Sequence, residues 1–217
     1  MVCRRSAILV PWFAVAVFAS VAHVSAQQEK ELEFLKVGNT APNVAFQPLT
    51  GEEKIKLSSL TESGPVVLVV LRGFPGYQCP ICFRQMGELV KHAEDFQRLG
   101  AKVVLVYPGP SADLELRAKE FLKEMQLPEP FVFVVDPDYA FTNLYHLRWD
   151  EPRETAYPST FVLDLDRVVR FRKTSFSHGD RAKTDDVIEI LELVHAAATA
   201  TGQEIPLDRG TSNVLQR

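Results

Sequence analysis

Cysteine is scarce in this sequence, with three residues in 217, at positions 3, 79 and 82. A disulfide scaffold needs more, so a hydrophobic core must hold the fold. Positive charge is also in short supply. The 24 Lys and Arg are outnumbered by 28 Asp and Glu, for a net charge of −4. No basic field exists to gather phosphates, which argues against a nucleic-acid partner. Internal repeats, phosphate-cradling glycine loops and blocks of like charge are absent as well. What remains, 46% hydrophobic and 24% charged, is the balance of a soluble globular chain long enough for one ordinary domain.

The first 26 residues carry the features of an export signal. Arg4 and Arg5 precede an apolar run over 7–22, broken only by Pro11 and Ser20, and Val24, Ser25 and Ala26 follow before a cut. The run falls short of the roughly 20 residues a spanning helix needs; an uncleaved membrane anchor is the alternative. Cleavage after Ala26 removes 26 of the 217 residues, leaving 191, and with Arg4 and Arg5 gone the charge moves to −6. The expected location is periplasmic or extracellular. There Cys79 and Cys82 meet an oxidising environment.

After a polar lead-in over 27–36, the patterning predicts one domain over 37–198 and a polar tail over 199–217. Residues 44–46 and 55–57 flank the Gly51 turn as an edge hairpin. The aliphatic run 66–71, after Gly64 and Pro65, has the pattern of a strand buried on both faces. A helix then starts at Cys79 or Pro80 and runs to Leu99, with Met86, Leu89, Val90, Ala93 and Phe96 in register, and Gly100 ends it. Residues 102–107 form a second strand stopped by Pro108, Gly109 and Pro110. Ser111 caps a second helix carrying Leu114, Ala118, Phe121, Leu122 and Met125, and 131–135 is a third strand. This alternation specifies an α/β sheet with helices on its faces. Residues 161–165 and 168–173 flank Asp166 and Arg167 as an antiparallel hairpin, so the sheet is mixed. A helix over 185–198, with Val187, Ile190, Leu191 and Val194 on one face, closes the fold.

Cys79 and Cys82 fall where the buried strand turns into the first long helix. Three residues apart, their side chains share a face of the first turn. Free amide donors and the helix dipole stabilise a thiolate there, bringing the first cysteine below its free pKa of about 8.5. Such a thiolate attacks a disulfide or a peroxide oxygen, and Cys82 is near enough to resolve the product on Cys79. A structural cystine is the plain alternative, yet closing so short a loop contributes only about 2 kcal/mol against about 3 for fifteen residues. A zinc half-site is the other. Zinc takes four ligands, and no second C-x-x-C or close histidine pair is present, so no metal and no cofactor are expected. His178, beside Gly179, is a weaker candidate base, and His146 lies among aromatics as a packing residue.

These residues resemble a thioredoxin-fold redoxin of the alkyl hydroperoxide reductase and thiol-specific antioxidant family, the peroxiredoxin-like group. Val37, Gly38, Asn39, Thr40, Ala41 and Pro42, with Val44, Ala45 and Phe46 after them, resemble that family's entry segment. The stretch from Arg72 through Gly73, Phe74, Pro75, Gly76, Tyr77 and Gln78 to Cys79, Pro80, Ile81 and Cys82 is similar to its active-site loop. Tyr157, Pro158 and Ser159 look like the thioredoxin-fold loop whose proline is cis and faces the dithiol, which would offer the Tyr157 backbone to an extended substrate. Arg181 resembles the arginine the family contributes from later in the chain. The resemblance implies a three-layer fold with a central mixed sheet flanked by helices, Cys79 as nucleophile and Cys82 as resolving thiol. Tyr77, Arg72, Tyr157, Pro158 and Arg181 would bind substrate, with Arg72 placing charge near the thiolate. It also implies a peroxide substrate and a thioredoxin-like dithiol reductant. Where the family carries a proline and a threonine before its reactive cysteine, this sequence has Arg72 and Gly76. The hydroxyl that orients peroxide is therefore missing, which leaves protein disulfides as the alternative substrate and a non-catalytic binding domain as a second alternative.

Overall fold

The computed structural model of the chain describes residues 34–51, 53–123 and 125–202. In chain order they form β1 (Ala45–Pro48), β2 (Ile55–Lys56), α1 (Leu57–Glu62), β3 (Val66–Val70), α2 (Pro80–Lys91), α3 (Ala93–Arg98), β4 (Lys102–Gly109), α4 (Leu114–Leu122), β5 (Phe131–Pro137), α5 (Ala140–Leu144), β6 (Ser159–Leu163), β7 (Val169–Thr174) and α6 (Thr184–Ala200). All belong to one compact unit that begins at Leu35. The expected export signal, the lead-in up to residue 33 and the tail from residue 203 lie outside the described residues. Among the described residues no helix is long and apolar enough to cross a membrane.

The strands join in one mixed sheet of order β2-β1-β5-β4-β3-β6-β7. Its centre is parallel, β3 with β4 and β4 with β5, and the antiparallel β1–β2 and β6–β7 hairpins extend it at the two edges. Every residue of β3 is fully buried, as an unbroken aliphatic run requires. Alternation along the strands makes two apolar faces. Val67, Val69, Leu71, Val103, Leu105, Tyr107 and Val162 join Met86, Leu89, Phe96, Phe121, Val187 and Leu191 from the helices in one core. On the other face Phe161 meets Tyr145, and Tyr145 and Phe46 both meet Phe141 of α5. The result is the expected central mixed sheet flanked by helices.

Several local expectations change. The single helix anticipated over 79–99 breaks at His92, whose φ of −103° and ψ of 21° leave the helical region, so α2 and α3 are separate pieces. Gly100 does end α3. At φ +64° its amide bonds Gln97 O, and the Ala101 amide bonds Phe96 O, the paired closure for which a left-handed glycine is suited. β4 continues through Pro108 and Gly109 because it pairs there with β5 alone; β3 has already ended, so the missing Pro108 N–H breaks no ladder. Ser111 does not cap the next helix. Its amide binds Asp138, and Asp113 occupies the cap position of α4. Helices α1 and α5, each a turn or so long, interrupt stretches where no helix was anticipated. His146 is exposed at φ +57° and not packed among aromatics.

Tyr157–Pro158 is a trans peptide, the cis bond among the described residues being Glu129–Pro130. Here the expectation of a free backbone edge fails for a physical reason. Residues 147–149 pair with 155–157 around an Arg148–Ala156 bridge. The Tyr157 amide donates to Leu147 O at 2.8 Å and its carbonyl accepts the Ser159 hydroxyl at 3.0 Å. Both groups are already engaged.

Candidate active site

The site is built at the carboxyl end of β3. Leu71 makes the last ladder contact, its amide bonding Val106 O at 2.9 Å. Gly73 then turns the chain at φ +72°, so close to β4 that a Cβ would stand 1.9 Å from Pro108 O. Only glycine fits there. The loop that follows is pinned at Gln78, which accepts the Tyr107 hydroxyl at 2.8 Å and donates to Arg117 O at 2.9 Å. Phe74 lies under the Arg117 guanidinium, 4.6 Å away.

This loop delivers Cys79 as the cap of α2, with Pro80 at the first helical position. The Cys82 amide donates to Cys79 Sγ at 3.4 Å. Both cysteines are free and buried, 2% and 1% exposed. Cys82 Sγ accepts the Arg72 amide at 3.3 Å and lies 3.6 Å from Arg181 Nη2. Arg181 in turn donates through Nε to His178 O at 2.9 Å.

The two sulfurs are driven apart in acidity. Cys79 falls well below the ordinary thiol value, to about 5, chiefly because it shares a hydrogen bond with the Cys82 thiol; the Cys82 and Ile81 amides and the Arg181 charge add to this, against burial. Cys82 moves up, because its proton is held toward Cys79 and burial disfavours its charge. The expected helix-end contribution is therefore real, and the neighbouring thiol outweighs it. An ionised sulfur beside a protonated one is the arrangement that lets the first attack and the second resolve.

Arg181 comes to the dithiol as expected. Arg72 does so through its backbone. Its guanidinium turns away and is neutralised by Glu154, with Nε to Oε2 at 2.8 Å and Nη2 to Oε1 at 2.9 Å, and further held by Arg153 O and the Tyr77 hydroxyl. The expected positive charge beside the thiolate is thus Arg181's and not Arg72's. Tyr77 lies over Arg72 and is 46% exposed, at the surface beside the loop. Tyr157 stacks on Trp149 with ring centres 4.7 Å apart, and Trp149 also meets His178. Glu154 was not singled out by the sequence. It stands 82 positions from Arg72, and no spacing rule connects them. His178, a weak candidate base, instead reaches Glu154 with Nε2 at 2.9 Å from Oε1.

A model of the AhpC/TSA family matches residues 37–172. The 1-Cys peroxiredoxin PER1 of Hordeum vulgare is 27% identical over 109 residues, which cover 48% of this chain and 46% of that protein. The chain spans about half the length of the curated relatives it matches. Among solved structures, the peroxidoxin BcpB of Mycobacterium tuberculosis superposes with a TM-score of 0.58 at 21% identity, covering 74% of this chain and 98% of the other. A putative thiol:disulfide interchange protein DsbE of Chlorobium tepidum gives 0.56 at 22% identity over 74% and 99%. These superpositions show the thioredoxin-like fold shared with peroxiredoxin structures.

Proposed function

Because the chain belongs to the AhpC/TSA family, we propose that it is a thiol-dependent oxidoreductase that reduces peroxides through Cys79 and Cys82. The observation that carries this reading is the geometry of the pair: Cys79 caps a helix and accepts the Cys82 amide, and Cys82 Sγ accepts the Arg72 amide with Arg181 3.6 Å away, a setting that pulls Cys79 down to about 5 and pushes Cys82 up. The Cys79 thiolate attacks the terminal peroxide oxygen and the O–O bond breaks. The leaving oxygen takes up a proton and departs as water or an alcohol, and Cys79 is left as a sulfenic acid. Cys82 sulfur then attacks the oxidised sulfur, expels water and closes a disulfide. A dithiol donor reopens that bond by two exchange steps, becoming oxidised itself. A small peroxide also suits a cysteine only 2% exposed, which a folded protein's disulfide reaches only if the loop opens. In the same reading the apolar run 7–22 is a cleaved export signal, so the donor works in an oxidising compartment.

The test uses a Cys82→Ser variant of the mature protein, treated with peroxide and a sulfenic-acid trap. An adduct on Cys79, together with dithiol-dependent turnover by the parent protein, supports the proposal. No adduct and no turnover would falsify it.

Gly76 favours a second reading, because the loop offers no hydroxyl at the position where the resemblance expects a threonine. Under it the substrate is a protein disulfide. The same Cys82→Ser variant then accumulates a mixed disulfide through Cys79 with a model disulfide protein; full peroxide consumption without any such capture rules this out. Equilibration with glutathione separates both from a structural cystine, whose potential would lie below about −300 mV.

A further inference from the structure

One carboxylate ties Arg72, whose amide contacts the second sulfur, to His178, whose carbonyl holds the arginine that also contacts it. Glu154 binds the Arg72 guanidinium with two oxygens and His178 with one of them. Each partner leads on to Cys82: the Arg72 amide donates to Sγ at 3.3 Å, and the His178 carbonyl holds Arg181, whose Nη2 is 3.6 Å from the same atom. The Glu154 and Arg72 side chains are 11% and 3% exposed. An ion pair so buried gains little stability over apolar packing of the same volume. Stability alone is therefore a weak account of its presence next to the dithiol.

We propose that Glu154 is a positioning residue of the dithiol, clamping Arg72 and His178 so that the Arg72 amide and the Arg181 guanidinium hold Cys82 oriented toward Cys79. This rests on the reading of Cys79 and Cys82 as the redox pair. Of the charged and titratable groups around that pair, Arg181 and Tyr107 act on it directly, and the Arg72, Tyr77, Glu154 and His178 side chains bond to one another behind it. Since Cys79 owes most of its acidity to the bond with Cys82, the orientation of Cys82 is the lever through which a distant carboxylate acts.

The experiment is the rate of Cys79 alkylation against pH, read by mass spectrometry with a melting temperature for each protein. Glu154→Gln is expected to move the midpoint up by about one pH unit, slowing alkylation about tenfold below it. Arg72→Met combined with Glu154→Gln should move it no further than the larger single shift, since both act through one linkage. His178→Ala, which cuts one arm of the clamp at a partly exposed residue, should give a smaller shift of the same sign and keeps the test valid if Glu154→Gln does not fold. Glu151→Gln, exposed in the same loop, should superpose on the parent. A Glu154→Gln profile identical to the parent with only a lowered melting temperature overturns the proposal and leaves the proposed function standing. Additive shifts in the double variant overturn it too. A parent midpoint at the ordinary thiol value overturns the function and the clamp together.

Discussion

At the scale of single residues, the chemistry turns on which sulfur holds the proton. Cys79 gathers the Cys82 amide, the Ile81 amide and the Arg181 field, while the Cys82 thiol supplies the largest share. Replacing that donor is therefore more damaging to Cys79 than its position on the helix suggests. Cys82→Ala is expected to return the Cys79 midpoint most of the way from about 5 toward the free value of about 8.5, and Cys82→Ser, which keeps a donor, should do so less. Alkylation kinetics across pH distinguish the two; equal midpoints in Cys82→Ala and the parent would mean that the helix end alone sets the acidity. Arg72 illustrates a limit of reading side chains from sequence. Its charge was expected at the sulfur, but burial forced the guanidinium to find a carboxylate, and Glu154 was the one within reach.

At the scale of elements, the junction between β3 and α2 carries the site, and its shape comes from a steric contact more than from any hydrogen bond. Gly73 sits against the Pro108 carbonyl at positive φ. Gly73→Ala must push β4 away or reopen the turn, at a cost of about 3 kcal/mol. Chemical denaturation should show that loss, and Cys79 acidity should fall with it because the loop no longer presents the cap. The strand and the helix start on either side were both legible in advance, since an unbroken aliphatic run and a Pro after a potential cap are local signals. The break at His92 was not. Apolar spacing continues through it from Leu89 to Phe96, and only the backbone shows that the chain leaves the helix between them. Pro108 is the reverse case: a residue that ordinarily stops strands stays in β4 because its neighbour on one side has already ended.

At the scale of the whole molecule, three separated stretches converge on two sulfurs, the end of β3, the start of α2 and the segment before α6, and a fourth, the loop bearing Glu154, stands behind Arg72. The acidity split then becomes a property of global stability. In the reduced protein Cys79 is a thiolate above about pH 5, whereas in the unfolded chain it stays protonated up to about pH 8.5. Between those values the unfolded state binds the extra proton, so stability rises with pH and is lost as pH falls through the folded pKa. Cys82, displaced upward, opposes this only above the ordinary thiol range. The melting temperature of the reduced parent, taken relative to Cys79→Ser, should thus climb by a few degrees from pH 5 to pH 8. A flat difference would remove the thiolate from the folded state.

Local patterning along the chain is enough to specify the mixed α/β architecture, the buried central strand and the placement of a dithiol at a helix start. Each of these follows from local periodicity or from residues adjacent along the chain. Which charge faces the sulfurs, the pairing of the Tyr157 backbone and the position of Glu154 behind Arg72 emerge only when the chain is packed. Those outcomes depend on groups as far as 99 positions apart competing for partners in a space where an unpaired charge is costly, and no spacing along the chain encodes that competition.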